Sequence, residues 1–419
     1  MRKIFLLLTI ALLLTIPIKY GYTDEEPVTL ASLIVEALSN SPALQAAYNN
    51  WKAAEHRVKY VSGLPDPRAS YTHFGENVET RVGPQERKYG VSQKIPFPGK
   101  LHLKAKSQAK HAEMVKAKYE AAKREIIKDV YFVYYDIFWV DKAITVTEEE
   151  KAILESLEKT AQRKYESTFA SQQDVIKAQV ELLKLIDKLF QLRQNRRSLV
   201  SKLNSILDRP KGTGLGQVEN VKPVKFGYQL EELHKMAQES RQELVAANLD
   251  MERARYEKSL AGLDYLPDFT LGFDYVQVGE GYTSSTDDGQ DAWTGTVAVN
   301  VPIWFDKLGA QLKEKKAALE ASKKDYQNIE NSVAYEIEDL YFKITTYKDI
   351  VSLYETALIP QTEQAFESAR TSYETGSVDF LNWLDSERVL LQTRLAYYKI
   401  VTDYLKSIAY MERVVGRDL

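Results

Sequence analysis

Apolar residues recur along this chain with two different periods. Between 171 and 207, Val175, Leu182, Leu189 and Leu203 fall on one heptad series, and Ala178, Leu185, Leu192, Leu199 and Ile206 on a second, with one interruption at Arg196. Leu384, Leu391, Tyr398 and Leu405, alongside Leu381 and Leu395, repeat the pattern near the C-terminus. Such a/d seams predict long helices packed as coiled coils rather than around a globular core. The helical stretch from Leu101 to about Tyr165 spans roughly 100 Å if continuous, at 1.5 Å per residue. A shorter helix is expected from the Ser41 cap and Pro42, with Leu44, Ala47, Tyr48, Trp51, Ala54, Val58 and Val61 on one face. Gly63 and Pro65 end it.

Four other segments alternate with period two. Around 292–303, Trp293, Val297, Val299 and Val301 lie opposite Thr294, Thr296, Ala298 and Asn300. Around 268–278, Phe269, Leu271, Phe273 and Tyr275 lie opposite Thr270, Gly272 and Asp274. Around 88–96, Tyr89, Val91 and Ile95 oppose Lys88, Gly90, Ser92 and Lys94, and 68–78 is a weaker fourth strand. Alternating segments of about ten residues, rich in aromatics, mark transmembrane β-strands; a two-layer soluble sheet is the alternative. Glu76–Arg87 and Gly279–Asp291 read as long polar hairpin loops, whereas the other strand ends run straight into helices. Four strands close no barrel, and an open edge in lipid is prohibitive, so the chain must pool strands with copies of itself. Three copies supply twelve. At the strand-to-helix joins, Pro96 and Pro98 lack ladder N–H groups, Gly99 gives freedom to turn, and Pro302 with Trp304 repeats the device.

The two kinds of element occur twice. Pro42–Pro67 aligns with Gln242–Phe269, so that Leu44, Ala46, Ala47 and Ala54 fall on Leu244, Ala246, Ala247 and Ala254. "IIKDVYFVYYDI" echoes "VAYEIEDLYFKI", and "YESTFASQQDVIKAQ" echoes "YETGSVDFLNWLDSE". The expected organisation is therefore a first repeat over 24–220 and a second over 221–419.

Arg2 and Lys3 followed by the apolar run Ile4–Ile18 read as a signal peptide, taken as 1–23, with an uncleaved anchor helix as the alternative. No other run is apolar for about 18 residues; "VYFVYYDIFWV" is too short to span and contains Asp136. The chain has no cysteine, which excludes disulfides, thiolate metal sites and cysteine nucleophiles. Its five histidines are scattered without ligand spacing, so no metal site and no cofactor are expected. A net charge of −3 argues against nucleic acid as a partner. No nucleophile–base pair or phosphate loop appears, so no enzymatic activity is expected.

These residues resemble the outer membrane efflux protein family, the TolC-type channels. "SQKIPFPGKL" is similar to that family's strand-to-helix signature in the form common among heavy-metal efflux members, and "ALSNSPAL", the two tip segments and the tandem repeat also match. The resemblance implies a mostly α fold with a membrane β-barrel: a homotrimer whose four strands per chain form a twelve-stranded barrel in outer membrane lipid, continued by a long α-helical periplasmic tunnel. It implies a passive exit duct served by a periplasmic adaptor and an inner-membrane RND or ABC pump, carrying heavy-metal cations or drugs. By residue matching, Asp174, Tyr373, Asp379, Asn382 and Asp385 fall at the periplasmic gate. Thr168, Phe169, Ala170, Ser171, Gly376 and Ser377 fall at the tips that contact the adaptor. Val378 stands where well-known members carry an arginine, leaving a Tyr373–Asp174 hydrogen bond as the expected gate contact. Asp379 and Asp385 have a simpler reading as capping or solvating residues. The alternative of another class is a secreted or periplasmic coiled-coil scaffold without a transport role.

Overall fold

A computed structural model of the chain describes residues 28–167, 171–281 and 286–419. The segment 1–23, expected to be a signal peptide, and Thr168, Phe169 and Ala170, expected at a tip, lie outside the described residues.

The first half runs α1 (Leu30–Asn40), α2 (Pro42–Ser62), β1 (Arg68–Thr80), β2 (Gly83–Ile95), α3 (Lys100–Glu166) and α4 (Gln172–Ile206). The second runs α5 (Leu230–Ser240), α6 (Gln242–Leu263), β3 (Phe269–Val278), β4 (Ala292–Val299), α7 (Phe305–Leu353), α8 (Ile359–Glu374) and α9 (Phe380–Val415). The element order thus repeats, with a short leading helix in each half that periodicity did not reveal. Ser41 caps α2 through the Leu44 N–H at 3.4 Å, with Pro42 at the first helical position. Helix α3 is unbroken over 67 residues, about 100 Å. A π-helical turn, Tyr354–Leu358, joins α7 to α8 just before Pro360. Proline has no N–H to return to the preceding turn, and the wider turn, closed by Ile359 N–H to Tyr354 O, accommodates the loss.

The strands form one antiparallel sheet in the order β1-β2-β3-β4. Its register aligns Tyr71, Tyr89, Tyr275 and Trp293 in one row across all four strands. Below it come Ala69, Val91, Phe273 and Gly295, then Gln93, Leu271 and Val297, then Ile95, Phe269 and Val299. Most of this face is bare: Trp293 is 69% exposed and Val297 71%. From Tyr89 to Ile95 the band is about 20 Å tall, close to the hydrocarbon band of an outer-membrane barrel. The opposite face carries Ser70, Gly90, Asp274 and Thr294 in one row, and Lys88 meets Asp274 at 3.1 Å. Glycine at 90 leaves room for these side chains: a Cβ there would stand 2.4 Å from Asp274 Oδ1 and 2.5 Å from Ser70 Oγ, so both would have to shift.

Two strand limits differ from expectation. The first hairpin has no long loop: Val78 pairs with Gln85 and Thr80 with Gly83, so only Arg81 and Val82 turn. Backbone pairing is indifferent to side-chain polarity, and the polar residues of 76–87 extend the ladder after a bulge. β4 stops at Val299 rather than 303, since Pro302 carries no ladder donor. The second loop, between β3 and β4, is long as expected and rests on the first turn, with Gly289 N–H to Val82 O at 2.7 Å.

In the α4 seam Ala178, Leu185, Leu189, Leu192 and Leu203 are buried and Val175, Leu182, Leu199 and Ile206 partly so, and Arg196 sits in it by pairing with Asp141 of α3 at 2.6 Å and donating to the Gly216 carbonyl at 3.1 Å. The α9 seam needs correction. Leu381 is 47% exposed, and the buried line runs through Phe380, Leu384, Glu387, Leu391, Val401 and Leu405. One residue along a helix turns the side chain by about 100°, so a seam anchored at Phe380 excludes Leu381. Two cores result. One, at mid-length, packs Tyr134 and Phe138 of α3 with Leu203, Ile337 and Tyr404. The other, near the hairpin ends, packs Leu154 and Leu157 with Ala178, Phe366, Tyr373, Trp383 and Leu384. No described helix is long and apolar enough to cross a membrane.

Candidate functional site at the hairpin tips and the strand-to-helix elbows

Each hairpin end is built from helix-terminus chemistry. Helix α8 stops in a Schellman arrangement: Gly376 adopts φ +81°, its N–H bonds Tyr373 O at 3.1 Å, and Ser377 N–H bonds Ser372 O at 2.8 Å. Asp379 then caps α9, accepting from Asn382 N–H at 2.9 Å. Across from it, Ser171 and Asp174 close a capping box on α4, with Asp174 N–H to Ser171 Oγ at 3.3 Å and Ser171 N–H to Asp174 Oδ2 at 3.2 Å.

The expected Tyr373–Asp174 hydrogen bond is absent. Asp174 spends its carboxylate on the Ser171 N–H, and the Tyr373 hydroxyl has no hydrogen-bond partner among the described residues. Tyr373 instead lies buried between Trp383 and Phe380, at centroid distances of 5.1 and 5.9 Å, with the Lys164 ammonium 4.2 Å from its ring centre. Burial, aided by the Asp174 charge, pushes its phenol above the usual range. Val378 packs against the same core. Asn382 and Asp385 are exposed and come together along a groove of 530 Å³ between α9 and α4, lined also by Ile176, Lys177, Val180 and Glu181. Arg388 of α9 pairs with Glu181 of α4 beside this groove. The fold therefore brings Asn382 and Asp385 together and leaves Asp174 and Asp379 as helix caps, as the simpler reading of Asp379 had it.

At the first elbow Gly99 adopts φ +98° after Pro96 and Pro98, and α3 begins at the next residue. The residue that organises the turn is Asp268, just before β3. Its Oδ1 accepts from Phe97 N–H and from Lys100 Nζ, each at 2.9 Å, and its Oδ2 faces Lys94 Nζ at 3.0 Å. Partial burial opposes ionisation there, but the hydrogen bonds from Lys100, Phe97 and Lys94 outweigh it and hold the carboxyl at about 2. Asp268 also carries the second elbow, its carbonyl accepting from Asn300 N–H at 3.2 Å. Past Pro302, Trp304 precedes α7 and is 72% exposed, at the rim of the apolar band. The available sequence signal for Asp268 is the triplet Leu266–Pro267–Asp268, which repeats Leu64–Pro65–Asp66 of the first half.

Sequence reading also missed two carboxyls. Glu150 of α3 and Glu387 of α9 are 0% and 3% exposed and face each other in the tip core. The signal was present as Glu150 in the Thr147–Glu150–Leu154 spacing and Glu387 in the Leu384–Glu387–Leu391 spacing, both core positions of a heptad. Among the described residues there is no group of His, Cys, Asp or Glu able to hold a metal ion.

A sheet that exposes an apolar face at one end and long paired helices beyond its elbows defines a channel-subunit fold, membrane strands continued by a helical tunnel. The family model described as outer membrane efflux protein matches residues 33–208 and 233–417, and the chain belongs to that family. It is 23% identical over 409 residues to the outer membrane protein TolC of Vibrio cholerae, covering 92% of this chain and 90% of that one. It is 19% identical over 396 residues to the cobalt-zinc-cadmium resistance protein CzcC of Cupriavidus metallidurans, covering 93% and 90%. Among solved structures it superposes on CusC with a TM-score of 0.80 at 15% identity, covering 93% of this chain and 92% of that one. The protein is a component of the outer membrane with its helical tunnel in the periplasm, in a family of channels rather than enzymes.

Proposed function

We propose that three chains join edge to edge, β4 of one pairing with β1 of the next, into a twelve-stranded barrel whose helical continuation is a passive exit duct. One observation carries this reading. Among the described residues the sheet has two unpaired edges, and its bare aromatic and aliphatic face, about 20 Å tall, approaches the apolar band of an outer-membrane barrel. A soluble scaffold would leave that face in water. The duct takes its substrates from a periplasmic adaptor and an inner-membrane RND or ABC pump. The adaptor meets the hairpin ends around Ser171, Gly376 and Ser377, together with 168–170. The likeness to CzcC makes heavy-metal cations the first substrate class to test, with drugs the second.

The gate of this duct lies at the tips, where Asp385 and Asn382 are exposed and Tyr373 and Asp379 shape the turn that carries them. Three symmetry-related Asp385 carboxylates around a narrow lumen attract cations. Purified protein is expected to run as a heat-modifiable trimer from outer-membrane fractions and to conduct in planar bilayers with cation preference. Asp385→Ala is expected to weaken that preference. A monomer recovered without detergent sinks the duct; unchanged preference in the variant removes Asp385 from the gate.

A further inference from the structure

Glu150 and Glu387 have no part in the elbow, the caps or the groove. They are set into the core that holds the α3/α4 hairpin against the α8/α9 hairpin, among Val146, Leu154, Trp383, Leu384 and Leu391. Among the described residues neither Glu150 oxygen nor Glu387 Oε1 has a hydrogen-bond donor as partner. The nearest cation is Arg394, 3.9 Å from Glu150 Oε1, and it is already engaged by Glu363 at 2.9 Å and Glu149 at 3.4 Å. On the α4 side, Lys188 and Glu181 face Glu387, and Arg388 is taken up by Glu181. Around the pair, then, Arg394 is held by Glu149 and Glu363, and Lys184 and Arg388 by Glu181, so among the described residues Lys188 is the cation left facing the pair and balances at most one of two negative charges.

Two ionised carboxylates side by side in an apolar core repel and forfeit their hydration. A single proton placed between them removes the repulsion and one of the two buried charges, because one carboxyl then donates to the other. We propose that Glu150 and Glu387 form a proton-held interlock between the two hairpins: a proton shared by their carboxyls keeps α3 against α9, and its loss lets the charges part the helices. Burial displaces both groups above the ordinary carboxyl range, and for Glu387 the neighbouring Glu150 carboxyl adds to the displacement, in accord with this geometry. A carboxyl so displaced binds its proton more tightly in the packed state. The interlock is therefore complete below the ordinary glutamate range and is lost as pH rises through the displaced values. The device lies within one chain and does not depend on trimer formation or conduction. In the duct proposed above, it would set how far the second hairpin can swing at the tip.

The absence of native cysteine permits a direct test. Spin labels at Ala152→Cys and Val389→Cys, both exposed, report the α3–α9 separation in the full chain in detergent, diluted with unlabelled chain. Distances are compared at about pH 5 and about pH 9, on either side of the displaced range. The parent chain is expected to gain a longer, broader population at the higher pH. Glu150→Gln/Glu387→Gln is expected to keep the short distance at both, since amides supply donor and acceptor without charge. Should the double variant not fold, Glu387→Gln alone serves, because the introduced amide can donate to an ionised Glu150. A parent distance that ignores pH, or a variant that still lengthens, overturns the interlock.

Discussion

Replacing Asp268 by alanine tests the elbow most directly. The carboxylate is 13% exposed at its side chain and receives Phe97 N–H, Lys100 Nζ and Lys94 Nζ at 2.9 to 3.0 Å. A fall from 3.8 to about 2 corresponds to a stabilisation of about 2.5 kcal/mol at neutral pH. The hydrogen bonds give a similar figure: losing charge-assisted bonds and stranding a half-buried backbone N–H costs about 2–3 kcal/mol. If the elbow opens locally, hydrogen exchange of the 94–103 segment should speed up by roughly 30- to 100-fold in the variant. The pH dependence has a defined sign. The folded carboxyl is depressed, so its contribution is present above the ordinary aspartate range and is lost as pH falls from 3.8 through about 2. The difference in apparent melting midpoint between the parent and Asp268→Asn is therefore expected to vanish near pH 2. Exchange within about threefold of the parent, or a difference that persists at that pH, would falsify Asp268 as the organiser of the elbow.

Gly83→Ala places a Cβ 2.1 Å from the Gly279 carbonyl oxygen at φ +116°. It should cost about 2 kcal/mol or more and lift the 279–291 loop from the first hairpin turn. Faster proteolysis of that loop on intact cells is the expected result, and unchanged cleavage counts against the contact. Asp379→Ala removes the α9 cap and should cost about 1 kcal/mol, with Asp379→Ser close to the parent. Exchange at 380–384 is expected to rise about fivefold in the alanine variant only; equal exchange in both variants would contradict the capping role.

The legible parts of the fold were those with a short period. Heptads at 175–206 and alternation at 269–299 each specify a face using neighbours a few residues apart; the strand face stands as read, and the heptad residues are buried or partly buried. Strand limits were less legible. Polarity at 76–87 argued for a loop, yet the backbone ladder with the opposing strand continued regardless. At the tip, matching positions placed Asp174 and Tyr373 together, but the Ser171 N–H three residues away claimed the carboxylate first. A local cap needs almost no chain ordering beyond the helix itself, so it outcompetes a contact between hairpins.

By itself the sequence determined the duplication, the long packed helices, the strands with one apolar face and the prolines that separate the two. These follow from steric and hydrophobic preferences acting over a few residues. Only the tertiary structure decided that four tyrosine and tryptophan side chains from distant strands share one row, and that Asp268 ties both elbows. It also decided that Glu150 meets Glu387 across 237 positions of chain, inside the apolar core near the hairpin ends. The reason is physical. A residue's exposure, its partner and its ionisation depend on what the other hairpin brings alongside, and no periodicity within one segment carries that information.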